Sequence, residues 1–254
     1  MGETGMKLIL PTENSNENYF GYWTDGKNVY SKDLLLDKID LQTFILFEGT
    51  FAKDKNRCYW NGFTLRGADV ETFEGLNWTF AKDKNHVWTL VGKLKEADAA
   101  TFEVCDEGRR MSYLIVENQK KILAIPHGYG KDSRFVFYYD YNGKPNIVKK
   151  ADTQTFISLN DGHFGKDKSF VFWGRTCLKN AKADTWEKLN TYYSKDHKRC
   201  FYMQGEIKGA DAESFFTVGE CYAYDKNNYY YQGTLTSKDD FEENKNAPWN
   251  LEKM

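Results

Sequence analysis

The 254-residue sequence contains no long apolar run, and nothing in it approaches the roughly 18 consecutive apolar residues of a membrane span. Near its start only Leu8, Ile9 and Leu10 precede Pro11, too few for the apolar core of a signal peptide. There is no C-x-x-C pair, and the five cysteines, Cys58, Cys105, Cys177, Cys200 and Cys221, are an odd number. Both facts speak against a disulfide framework or a zinc knuckle and fit a reducing, cytoplasmic compartment. Net charge is almost absent, 35 basic against 37 acidic residues, so the field of the whole molecule draws it to neither nucleic acid nor an anionic membrane. No G-x-S-x-G or H-E-x-x-H motif occurs, and the four histidines, His86, His127, His163 and His197, are scattered. Catalysis, a cofactor and a metal are therefore not expected, and the chain reads as a non-enzyme.

Aromatic residues, by contrast, make up 17% of the chain, a composition that suits half-buried pleated surfaces better than helices. They are organised by a repeat. Asp25 in WTDGKN, Asp54 in FAKDKN and Asp83 in FAKDKN follow one another at 29 residues, as do Asp167 in FGKDKS, Asp196 in YSKDHK and Asp225 in YAYDKN. Asp132 in YGKDSR belongs to the same series at a longer interval. A second phrase lies 15 residues after the aspartate: Asp40 in IDLQTF, Asp69 in ADVETF, Asp98 in ADAATF and Asp211 in ADAESF. ADTQTF at Asp152 is displaced, and KADTW at Asp184 and KDDF near the end read as contracted copies.

Within a unit, alternating aromatics lead into K-D-K-N and a β-rich run such as Val87-Trp88-Thr89-Leu90-Val91 leads out. Asp accepts from amides two residues on, and Asn tolerates the left-handed conformation that closes a short turn. The Asp of the second phrase can cap a short helical turn while its Phe (Phe73, Phe102, Phe156, Phe215) points inward. One unit is thus two or three short strands and a turn. Such a hairpin is unstable alone, so neighbours must stack on a common core. The expected fold is all-β: about seven aromatic β-hairpin repeats of 29 residues in a spiral or solenoid, with a propeller-like closed ring as the alternative.

The organisation read from this is an N-terminal segment over 1–19, a single β-repeat domain over 20–241 with an irregular insertion at 104–128, and a flexible tail over 242–254. Residues 1–5 read as a cloning scar ahead of a natural start at Met6, although a removed secretion signal would leave the same trace.

Asp225-Lys226-Asn227-Asn228-Tyr229-Tyr230, with the two recurring anchors, resembles the bacterial DKNYY family, and the resemblance covers most of residues 20–241. It implies a β-repeat architecture and a binding role, and it transfers no catalytic residue. Residues 104–128 depart from the family pattern.

The repeated aspartates invite a calcium reading, but each turn supplies one carboxylate flanked by lysines where calcium takes six to eight oxygens, so turn chemistry is expected. The aromatic stripe, which includes Tyr59, Trp60, Trp88, Phe172, Trp173, Phe201, Tyr202, Tyr230 and Tyr231, could stack on sugars or bases. Alternation, however, assigns half of these rings to the core. The histidines read as surface residues. Cys58 and Cys200, each four residues after its aspartate, read as packing residues rather than reactive thiols.

The interval from Asp83 to Asp132 is 49 residues, 20 more than one unit. The excess reads as a hairpin around Glu117-Asn118-Gln119-Lys120, either a decayed repeat or an inserted arm. Insertions in repeat arrays often form the binding face. Arg109, Arg110, Tyr113, Lys120 and Lys121 are accordingly the candidate partner-binding residues. The functional expectation is a non-catalytic protein-binding scaffold whose partner is another protein. In that role it would be an immunity or anti-defence inhibitor that blocks a bacterial toxin or nuclease through a surface of about 800 Å². The alternative is a surface or periplasmic module that binds glycan through the aromatic stripe.

Overall fold

A computed structural model describes residues 7–9, 21–31, 34–116, 119–141, 143 and 145–251. Among them the chain forms seven four-stranded antiparallel sheets, one for each turn aspartate, and a separate two-stranded hairpin. The contacts group into two compact units, residues 1–146 and 147–254, where the sequence reading takes 20–241 as one domain. The sheets of Asp25, Asp54, Asp83 and Asp132 belong to the first unit and those of Asp167, Asp196 and Asp225 to the second.

Each repeat has four strands, not two or three. In the Asp54 repeat a central hairpin of Phe51–Lys53 and Cys58–Trp60 is flanked by Ile45–Leu46 and Phe63–Thr64. Outer strands of two residues are what allow four strands to fit into a 29-residue period. The third and fourth strands are joined at Asn61 and Gly62, whose φ values of 45° and 83° are those of a turn matched to the twist of an antiparallel pair.

The core follows the same register. The residue three before the turn aspartate is always aromatic and almost fully buried: Tyr22, Phe51, Phe80 and Tyr129 in the first unit, Phe164, Tyr193 and Tyr222 in the second. The ring five after it is buried as well at Tyr59, Trp88, Phe137, Phe172, Phe201 and Tyr230. The Phe of the linking phrase lies between these two sets. Phe102 is 5.2 Å from Phe80 behind it and 6.1 Å from Phe137 ahead. Phe215 is 5.9 Å from Tyr193 and 5.6 Å from Tyr230. Phe102 and Phe215 thereby each join one sheet to the next, in chain order, in a solenoid-like stack within each unit. Tilted and edge-on pairs at these distances stabilise by about 0.5–1.5 kcal/mol beyond the area they bury.

The segment expected as a flexible tail is instead a cap. Ser237 Oγ accepts from the Asp240 amide and starts a helix, Lys238–Asn244. Phe241 on that helix is buried against Tyr222, Tyr224 and Tyr229. A second short helix, Pro248–Leu251, carries Asn250, which is completely buried. Asn250 Oδ1 accepts from the Cys221 amide, and its Nδ2 donates to the carbonyls of Val218 and Lys245. The physical reason is that the residues following the Asp225 sheet carry no K-D-K-N strand pair, so its apolar face and loop amides are met by the helices instead. Residues 252–254 lie outside the described residues.

Candidate functional site

The recurring aspartate is a staple between repeats. Asp83 Oδ1 accepts from the amides of Asn85 and His86, both at 2.8 Å, which closes the turn. Its Oδ2 accepts from Trp88 Nε1 at 2.8 Å and from the Asp69 amide at 3.1 Å, which ties in the linking phrase of the preceding repeat. The same amide-to-Oδ2 bond joins Asp40 to Asp54, Asp98 to Asp132, Asp152 to Asp167 and Asp211 to Asp225, each at 2.9 Å. Burial pushes the carboxyls of Asp83 and Asp225 up, but the hydrogen bonds they accept outweigh it and hold both below the usual range. The lysine after the aspartate returns the contact. Lys84 pairs with Asp69 and Lys226 with Asp211, both at 2.8 Å, which together with bonds from Thr72 and Ser214 lowers those two carboxyls to about 2. The oxygens of the turn aspartates therefore face N–H and O–H donors, the reverse of what a cation needs. Among the described residues no cluster of three or more metal-ligating side chains occurs.

The hydrogen bonds also correct one register. KADTW has its anchor at Lys182, not Asp184: the Lys182 amide donates to Asp196 Oδ2 at 2.9 Å. Trp186, four residues on, takes the place of the linking Phe, 5.2 Å from Phe164. This copy is not contracted; it carries lysine where five others carry aspartate. Counting 15 residues from Asp167 reaches it, but the nearby Ala-Asp-Thr draws the eye to Asp184.

Cys58 and Cys200 are buried core residues, and burial pushes both thiols up to about 12. Two of the histidines expected at the surface are buried. His127 is lowered to about 4, chiefly by burial and further by the charge of Arg110. His163 stacks on Trp173 at 4.3 Å. Of the aromatic stripe, the rings five after the aspartate are core, while Trp60, Trp173, Tyr202 and Tyr231, six after it, are half-buried.

The insertion is an added arm, not a decayed repeat. It leaves the fourth sheet after Glu103–Val104 and returns at Gly128–Lys131, between strands that are adjacent in every other unit. Its two eight-residue strands, Arg109–Val116 and Gln119–Pro126, pair only with each other. The base is built in: the His127 amide donates to the Gly108 carbonyl at 3.0 Å, and that carbonyl also accepts from Thr79 Oγ1 at 2.5 Å. Asn77 Nδ2 donates to the Asp106 carbonyl at 3.0 Å. Arg109 is held at this base, bonded to Glu107 at 2.9 Å with its guanidinium 5.5 Å from the centre of the Trp78 ring. Arg110 is half-buried beside it. Tyr113 is in register with Ile122, Lys121 with Leu114 and Lys120 with Ile115. The side chains of Tyr113, Lys120 and Lys121, and the tip residues Glu117 and Asn118, lie outside the described residues. The structure thus brings Arg109 and Arg110 together at the root of the arm and places the other three candidates along it.

No helix among the described residues is long and apolar enough to cross a membrane. Neither a curated protein nor a solved structure matches the chain. The model of the DKNYY family matches residues 51–205 and again residues 182–234, the span over which the staple recurs, and the chain belongs to that family.

Proposed function

We propose that this repeat scaffold acts without catalysis, by occupying a partner protein, and that the arm of residues 109–126 is its principal contact. One observation carries the reading: on an array whose strands are otherwise two to four residues long, one pair of eight-residue strands is set apart, hydrogen-bonded to no sheet. A hairpin contributing nothing to the ladders of the array costs chain entropy without extending any of its sheets, which suits a binding element. Its outer backbone edges and its apolar sequence, Tyr113-Leu114-Ile115-Val116 and Ile122-Leu123-Ala124-Ile125, suit strand addition or an apolar partner groove.

The test is affinity recovery from lysates of the source organism and its competitors, beside a variant in which residues 110–125 are replaced by an Asn-Gly turn joining Arg109 to Pro126. One protein recovered with the full chain and lost with the shortened arm supports the reading. The same protein retained by the shortened arm overturns it. A toxin or nuclease as that protein would make the chain an immunity or anti-defence inhibitor. The glycan alternative is favoured by the half-buried rings of Trp173, Tyr202 and Tyr231, and retention on polysaccharide that is lost in Tyr202→Ala would move the assignment there.

A further inference from the structure

A groove of about 580 Å³ in the second unit runs between the turn at Lys168–Phe170 and the segment from Cys177 to Asp184. Four lysines line it, Lys150, Lys168, Lys179 and Lys182, against the single carboxylate of Asp184. A second, smaller groove of about 370 Å³ shares its wall at Lys168, Ala183 and Asp184. Lys168 is engaged with Asp152 at 2.9 Å. Among the described residues Lys150, Lys179 and Lys182 have no carboxylate at ion-pair distance.

The origin of this charge lies in the repeat. At the register of Lys182 the other units carry Asp40, Asp69, Asp98, Asp152 and Asp211, and four of these neutralise a turn lysine: Lys55, Lys84, Lys168 and Lys226. Lys182 reverses the sign at that register. Its turn neighbour is His197, whose Nδ1 is 2.8 Å from Thr185 Oγ1. The structural duty of the position is discharged by the backbone, through the Lys182 amide on Asp196, so the side chain is not required for the fold.

We propose that this groove binds an acidic polypeptide segment. Its lysines are flexible point charges distributed along an open channel with an apolar floor at Phe170 and Leu178. That arrangement suits several carboxylates on an extended chain better than one compact oxyanion, which planar guanidinium forks or converging amides hold more tightly. The groove is independent of the arm, so either assignment can fail without the other.

The experiment measures binding of a fluorescein-labelled decapeptide of alternating Asp and Glu by anisotropy at low and high salt, with inorganic phosphate and a single-stranded oligonucleotide as competing probes. Lys182→Asp restores the residue other repeats use and is expected to fold normally, which circular dichroism checks. It should weaken peptide binding by about tenfold, a difference of about 1.4 kcal/mol. Lys179→Glu should act alike, and Lys208→Glu, on an exposed position outside the groove, should not. Cys177, which lines the groove, gives a second readout: the peptide should slow its alkylation by iodoacetamide in the wild type and not in Lys182→Asp. Equal binding by wild type and Lys182→Asp, no binding of the peptide, or tighter binding of phosphate or oligonucleotide than of peptide would each overturn the proposal. The shortened-arm variant should bind the decapeptide as the wild type does.

Discussion

The two units are built from one repeat, yet they present different surfaces. Six residues after the turn aspartate, the four repeats of the first unit place Ser31, Trp60, Thr89 and Tyr138, all buried except the half-buried Trp60, whereas the three repeats of the second unit place the half-buried rings of Trp173, Tyr202 and Tyr231. In the second unit these rings continue into neighbours, Trp173 to Tyr192 at 6.1 Å, Tyr192 to Tyr202 at 5.9 Å and Tyr231 to Trp249 at 6.3 Å. Nine residues after the aspartate the contrast reverses: Leu34, Phe63 and Tyr141 are exposed in the first unit, whose remaining repeat has Gly92, where the second has Thr176, Gly205 and Thr234. The first unit carries the arm, the second the helical cap and the lysine groove. What does not differ, from Asp54 onward, is the staple and the ring on each side of it. Positions that hold repeats together are uniform because every junction poses the same packing problem. Positions facing outward are released from that problem and diverge, so function is to be sought among them.

The strongest way to break this contrast is through the shared staple. Asp83→Ala leaves three backbone amides and an indole N–H without their acceptor, and should destabilise the protein by about 3–4 kcal/mol, read by urea denaturation. Asp25, whose carboxylate is exposed and which among the described residues accepts only from Lys27, Asn28 and Tyr30 of its own turn, should cost much less when replaced in the same way. Equal losses would mean that the staple across repeats adds nothing to the local turn.

Comparable in size is the linking ring. Phe102→Ala and Phe215→Ala, one in each unit, should each lose about 3–5 kcal/mol, because both vacate a site between two sheets. Comparable values would confirm that the junctions of the two units are equivalent; a loss under 1 kcal/mol at either, an arbitrary threshold of about one neutral surface change, would show that they are not.

Smaller effects probe the positions at which the two units differ. Tyr202→Thr, which gives a second-unit position the residue type of Thr89, should cost about 1–2 kcal/mol through lost ring contacts with Tyr192 and Tyr193. Replacing residues 110–125 by a turn should leave the denaturation midpoint nearly unchanged, since the arm pairs with no sheet. A cooperative loss of the first unit would show that the arm is structural.

A pH titration should report His127 within the first unit. Its pKa falls from 6.5 to about 4 on folding, so below pH 6.5 the unfolded chain binds a proton that the folded chain refuses. The stabilisation is complete above 6.5, declines as pH falls toward 4 and is lost below it. His127→Gln should flatten that slope in a thermal-melt series. The lowered carboxyls of Asp69 and Asp211 act in a separate, more acidic window, contributing above 3.8 and losing that contribution as pH falls toward 2.

Much of this was legible in the chain. The spacing of Asp54, Asp83, Asp196 and Asp225 gave the period, and alternation around Trp88 and Tyr230 gave the strands, because turn chemistry and pleating are local. The four-strand sheet was not legible, since pairs such as Phe63–Thr64 are too short to carry a pattern. Lys182 escaped because its role is played by a backbone amide, which no side chain announces. The cap at Phe241 and Asn250 escaped because its polar sequence resembles a tail until the unfinished face of the last sheet is seen.

The sequence by itself determined the repeat, the turn at each aspartate and the aromatic identity of the core, all properties of a few neighbouring residues. Only the tertiary structure decided where each carboxylate's second oxygen goes, that the insertion stands apart as an arm, and that four lysines separated in sequence share one groove. Those depend on contacts between residues from 14 to 40 positions apart, which a chain specifies collectively, through packing and hydrogen-bond satisfaction, and not in any one stretch.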